Sequence, residues 1–125
     1  MTFSIHGLPV ARGIAIGRAV LVAPSRVEVT HYFIQPDEIK AEIERLRVAR
    51  DAVVDELQRM QAEMPKDMPP ELGAMLDVHL MLLQDETLAY EIRRWIKERL
   101  YNAEWALISQ LEVVVRQFDE MDDPY

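Results

Sequence analysis

Three histidines and three serines are the side chains from which acid–base or nucleophilic chemistry could be assembled in this chain, and their spacing assembles neither. His6, His31 and His79 belong to no helical His-Glu-x-x-His pattern, and Asp77, two residues from His79, points to a different side of a helix. His79 sits among Leu72, Leu76 and Leu83, which predicts a buried or half-buried structural imidazole bonded to a neighbouring polar group. Ser4, Ser25 and Ser109 lie in no nucleophile elbow, and Gly13 with Gly17 lacks the Lys-Ser/Thr end of a phosphate loop. Without cysteine there is no disulfide, thiolate zinc site or thiol nucleophile. The sequence therefore predicts no catalytic residue, no metal ligand set and no bound cofactor within these residues. What it does carry is a one-signed charge run. Residues 67–92 contain no Lys or Arg, yet hold Asp67, Glu71, Asp77, Asp85, Glu86 and Glu91. Such a run reads either as a solvated acidic face or as the rim of a surface for a basic partner.

Composition narrows the partner. Fourteen Lys and Arg against 22 Asp and Glu leave a net charge of -8 over 125 residues. Phosphate backbones and anionic membranes are bound by excess Lys and Arg, so neither nucleic acid nor a membrane surface is an expected partner. Half the residues are hydrophobic, which suits one folded domain rather than disorder. The N-terminus has no basic segment leading into an apolar stretch, and no run reaches the ~18 apolar residues of a membrane span, so a cytoplasmic location is expected. Asp122, Asp123, Pro124 and Tyr125 close the chain without a settled helix stop, which reads as a cut rather than a finish.

Two regions of unlike character must position these residues. Residues 1–34 carry Arg12, Arg18 and Arg26 against Glu28, while residues 35–125 carry 11 bases against 21 acids. In the first region, residues 2–6 and 14–22 read as short strands, the second entered through a glycine turn. Two such strands lack a second layer, so loose order or pairing with another chain is expected of them. After Pro36, Ile39, Ile43, Leu46, Val53, Leu57, Met60 and Met64 recur at steps of three and four, with Arg50 in one apolar slot, predicting a long helix stopped by Pro65, Pro69 and Pro70. It should pair antiparallel with a second helix starting near Pro70-Glu71. That helix is apolar on two sides: Leu72, Leu76, His79, Leu80 and Leu83 on one, Ala74, Met75, Val78, Met81 and Leu82 on the other. Two apolar sides require two things to touch. Asp85, Glu86 and Thr87 offer caps for a third helix through Leu88, Ile92, Trp95, Ile96 and Leu100, and Asn102 caps a fourth through Trp105, Ile108, Leu111, Val115, Phe118 and Met121.

Two stretches then resemble a known family, the Enzyme I proteins of the bacterial phosphoenolpyruvate-dependent phosphotransferase system, along their N-terminal part. Arg12-Gly13-Ile14-Ala15-Ile16-Gly17-Arg18-Ala19 is similar to the family's Pro-Gly-Ile-Ala-x-Gly-(Lys/Arg)-Ala strand, with Arg12 in the usual proline position. His79-Leu80-Met81-Leu82-Leu83-Gln84-Asp85-Glu86 is similar to its His-x-Met-Leu-Leu-x-Asp-x segment, followed by Leu88, Glu91 and Ile92; the acidic tail from Asp122 agrees as well. The resemblance implies a mainly α fold. Residues 35–125 would form a four-helix bundle with a long helical hairpin that docks the small phosphocarrier HPr, and residues 1–34 the first strands of an incomplete α/β phosphohistidine domain.

It implies an HPr-binding face of Glu71, Met75, Val78, Leu82, Asp85 and Glu86, with Leu111, Val114 and Phe118 opposite. Met75, Leu82 and Phe118 stay open to the alternative of helix–helix core. The family's active histidine lies in a Gly-Gly-x-x-Ser-His segment that this sequence does not contain, and its phosphoenolpyruvate-binding, Mg2+-dependent barrel, through which the whole enzyme dimerises, is also missing. The chain alone is therefore expected to be inactive. Two rivals remain: a nitrogen-regulatory Enzyme I paralogue, and a structural coiled-coil dimer built on the heptads of residues 39–64.

Overall fold

The structure, a computed structural model, describes residues 2–22 and 27–121. The Asp122-Asp123-Pro124-Tyr125 tail, part of the resemblance, lies outside the described residues. The fold is mainly α. A single 3-10 turn, Pro36–Glu38, leads into α1 (Ile39–Ala62), followed by α2 (Pro70–Leu83), α3 (Glu86–Arg99) and α4 (Ala103–Glu120). The turn is closed by local chemistry: the Glu38 carboxylate accepts from the Gln35 amide at 2.7 Å, and Pro36 presets the backbone. At ~1.5 Å per residue α1 is about 36 Å long and ends at Ala62, before Met64, because Pro65 restricts the residue preceding it. Pro70 opens α2, and the Asp85 carboxylate caps α3 by accepting from the Leu88 amide at 2.8 Å.

The core lies where α1, α3 and α4 converge. Ile34, Ile92, Ile96, Ala103 and Ala106 are buried there, with Ile39, Ile43, Leu46, Leu88, Trp95, Leu100, Tyr101 and Leu107 packed around them. α3 and α4 form an antiparallel pair across a tight connection in which Leu100 adopts a left-handed conformation (φ 56°). That geometry costs a leucine about 1–2 kcal/mol. Its carbonyl is bound by the Ile34 amide at 2.8 Å and its side chain packs on the core, which together hold it. The first half of the α1 stripe is taken up by this core, and α2 packs along the second half, where Val53 and Met60 stay partly exposed. That is the packing of a helical hairpin, not of a coiled-coil dimer seam.

The N-terminal strands do not form. Among the described residues the one β-type pairing is an antiparallel bridge between Phe33 and Tyr101, and residues 2–22 make no backbone hydrogen bond. Phe3, Ile5, Ile14, Ile16 and Val20 stand in solvent. A strand is stable only when its amides meet a neighbour, and none of the described residues supplies one.

Candidate docking site

Residues 71–82 of α2 divide as their apolar pattern predicts. At ~100° per residue, Leu72, Gly73, Leu76, Leu80 and Leu83 fall on one side, and Leu80 is buried there as α2 lies on α1. On the other side Glu71, Met75, Val78 and Leu82 share an arc of about 60°. Met75 is 57% exposed, Val78 50%, Leu82 50% and the adjacent Met81 64%. These side chains are not sealed under neighbours, which answers the core alternative for Met75 and Leu82. On α4, Phe118 is 68% exposed and Leu111 40%, while Val114 is half-buried. A shallow groove lined by Ile108, Leu111, Val115 and Asp119 runs beside them. α4 packs on α3 and α1, and α2 on α1. The two apolar faces are therefore carried by different helices with α1 as their common support.

The acids of the base-free run have divided roles. Asp77 accepts from the Gln61 amide nitrogen at 2.7 Å and ties α2 to α1. Glu91 pairs with Arg94 at 3.3 Å. Asp85 is engaged as the α3 cap. Glu86 stands well exposed, with Arg93 as a distant partner at 3.8 Å. Glu71, in the first turn of α2, is exposed beside Met75. Glu71 and Glu86 are thus the acids of the expected face whose carboxylates are left to water. His79, expected to be buried or half-buried and bonded to a neighbouring polar group, is exposed, though the bond is present. Its Nδ1–H donates to the Met75 carbonyl one turn back at 2.8 Å, a bond the helix itself supplies, so no burial is needed to satisfy the ring.

A polar knot fixes the base on which these faces stand, and sequence reasoning missed most of it. The Asn102 side chain, expected as the α4 cap, is drawn instead to the incoming chain: its Oδ1 accepts from the Tyr32 amide at 3.1 Å and its Nδ2 donates to the Thr30 carbonyl at 2.9 Å. Glu42 of α1 takes over the cap, accepting from the Ala103 amide at 2.7 Å. Arg45 then grips both Glu104 oxygens at 2.6 and 2.5 Å and reaches Glu42 as well. The Arg45 hydrogen bonds hold the Glu104 carboxyl down at about 2 and lower Glu42, where burial opposes them; both carboxylates in turn raise Arg45. The sequence did carry a signal. Glu42 lies on the core side of α1, about 40° from Leu46 at ~100° per residue, where an acid needs a partner.

Beside the knot, Trp95, Tyr101, Trp105 and His31 stack in a row, Tyr101 and Trp105 at 3.6 Å between centroids, with Phe33 edge-on to Trp105 at 5.2 Å. Trp95 Nε1 donates to Gln110 at 3.0 Å, linking α3 to α4. Among the described residues no three His, Asp or Glu side chains converge on a point that would hold a metal ion.

The family described as "PEP-utilising enzyme, N-terminal" matches residues 6–125. The chain is similar to the phosphoenolpyruvate-protein phosphotransferase of Cupriavidus necator, 54% identical over all 125 residues and 21% of that protein's length. It is also similar to the protein of the same name from Haemophilus influenzae, 31% identical over 97% of this chain and 21% of that protein. A solution structure of the N-terminal part of an Enzyme I matches with a TM-score of 0.71 at 23% identity, covering 81% of this chain and 41% of that one, and it supports the fold. The chain spans about a fifth of the length of the curated relatives it matches.

Proposed function

The chain belongs to the family of PEP-utilising enzymes, as their N-terminal part, and from that premise we propose that it is the carrier-docking piece of a phosphoenolpyruvate-protein phosphotransferase. In the whole enzyme phosphate would pass from phosphoenolpyruvate to an enzyme histidine and on to HPr in sugar uptake. Residues 35–125 would hold HPr, and residues 1–34 would join the α/β domain that carries the active histidine. His6, His31 and His79 lie in no Ser-His segment, so none of them is the phosphorylated residue in this reading. Mg2+, phosphoenolpyruvate and the homodimer contacts belong to the barrel of the whole enzyme, and docking draws on none of them. No helix among the described residues is long and apolar enough to cross a membrane, and the proposed setting is the cytoplasm.

The observation that carries the reading is the free stripe of α2: Met75, Val78 and Leu82 half-exposed, Glu71 on the same arc, Glu86 exposed at the start of α3, and no cation among the stripe residues. Burying such side chains beneath a partner supplies affinity, and carboxylates at the edge speed encounter with a cationic surface and set its orientation. Leu111, Val114 and Phe118 of α4 would extend the contact. Titration of the chain with HPr at low salt tests this. Amide shifts are expected on α2 at Met75, Val78 and Leu82; a titration that moves no amide in either protein overturns the proposal.

A further inference from the structure

The free stripe of α2 has a sulfur atom on each margin. At ~100° per residue Met81 and Met75 stand about 120° apart, with Val78 and Leu82 between them. Both methionines are more than half exposed, and the chain has no cysteine to intercept an oxidant first. We propose that Met75 and Met81 form a reversible oxidation site through which peroxide switches the docking face off; this rests on the docking reading above. In the step, a thioether lone pair attacks one peroxide oxygen, the S–O bond forms as the O–O bond breaks, and the departing hydroxide takes a proton to become water. The sulfur is oxidised by two electrons and the peroxide is reduced by two.

The free protein should tolerate the product. Each sulfoxide stays in water, Met75 about 140° and Met81 about 100° around α2 from the buried Leu80, so the Leu80 contact with α1 is kept. Docking should not tolerate it, since a partner covering the stripe would have to desolvate two strongly polar S=O groups where it formerly buried thioethers. The other exposed methionines, Met60, Met68 and Met121, lie off this face and serve as internal controls.

The test treats the intact chain with hydrogen peroxide and maps the added oxygen by peptide mass spectrometry. Melting by circular dichroism should be unchanged, while HPr should bind about tenfold more weakly or worse, the scale expected when one buried methionine's apolar contribution is lost. Methionine sulfoxide reductases acting on both epimers should restore binding. In a Met75→Leu/Met81→Leu variant the remaining methionines still oxidise, and treated and untreated variant should bind HPr alike. Oxidised protein that docks as tightly as untreated protein overturns the switch alone, as does a double variant that loses as much binding as the parent. An untreated chain that does not dock overturns the docking reading and the switch together.

Discussion

Arg45 on α1 joins that helix to α4 through the carboxylates of Glu42 and Glu104, and its consequence is acid sensitivity. The Glu104 pKa is depressed from its ordinary 4.5 to about 2, chiefly by the Arg45 hydrogen bonds, and Glu42 is depressed in the same direction. A depressed carboxylate stabilises the fold at every pH above its unfolded value, and that contribution drains away as pH falls from about 4.5 toward about 2. Urea midpoints should therefore drop steeply below about pH 4.5, and Glu104→Gln should lower the midpoint clearly near neutrality and little at about pH 2 to 3. A variant as costly in acid as at neutral pH would show that Glu104 acts through shape rather than charge. At the same scale, Glu71 and Glu86 are the acids free to steer. Reversing both to lysine should weaken HPr docking at low salt far more than near ~1 M, because exposed charges are screened beyond about 10 Å already at 0.1 M. Asp85 is expected to share this role and also caps α3 through Oδ1. Asp85→Ala should cost about 1 kcal/mol of stability in denaturant titrations, whatever it does to docking.

At the scale of the element, α2 is a helix with a structural side and a free side, and the two respond differently to substitution. Leu80 is buried against α1, so Leu80→Ala should destabilise the chain by about 2–4 kcal/mol, read from denaturant midpoints. Val78, about 40° from Leu82 around the helix, is half-exposed; Val78→Asp should leave the melting temperature nearly unchanged and abolish HPr-induced amide shifts. If Val78→Asp unfolds the protein, the free side is not free. α1 shows the opposite economy of surface. Its heptads were equally compatible with a dimer seam, yet Ile39, Ile43 and Leu46 close on the core of this chain.

At the scale of the molecule, an anchored helical body is preceded by an N-terminal arm, residues 2–22, which are exposed throughout. The body begins before α1, because Ile34 is buried and residues 30–34 are held by Asn102 and the Leu100 carbonyl. Residues 2–22 have no such ties. Removing them should leave the helical circular dichroism signal and its melting midpoint unchanged, whereas removal through residue 34 should lower the midpoint by exposing the Ile34 site. Loss of stability on the shorter truncation would mean that the arm packs on the helices after all.

The sequence placed the helices and, to within about two residues, their ends, since proline stops, the Asp85 cap and three-to-four spacing act within a few residues of chain. It also determined that α2 would have a surplus apolar side. The tertiary structure added that this side is exposed, that His79 is exposed too, that Asn102 at the N-cap of α4 leaves the Ala103 amide to Glu42, and that a left-handed Leu100 turns the chain, where glycine or asparagine would have announced such a turn. Each of these depends on which distant group comes within bonding reach, and spacing along one helix carries no information about that. The arm shows the same limit from the other side: β-forming residues are a preference of side chains, but a strand is a property of two backbones, and here the second is missing.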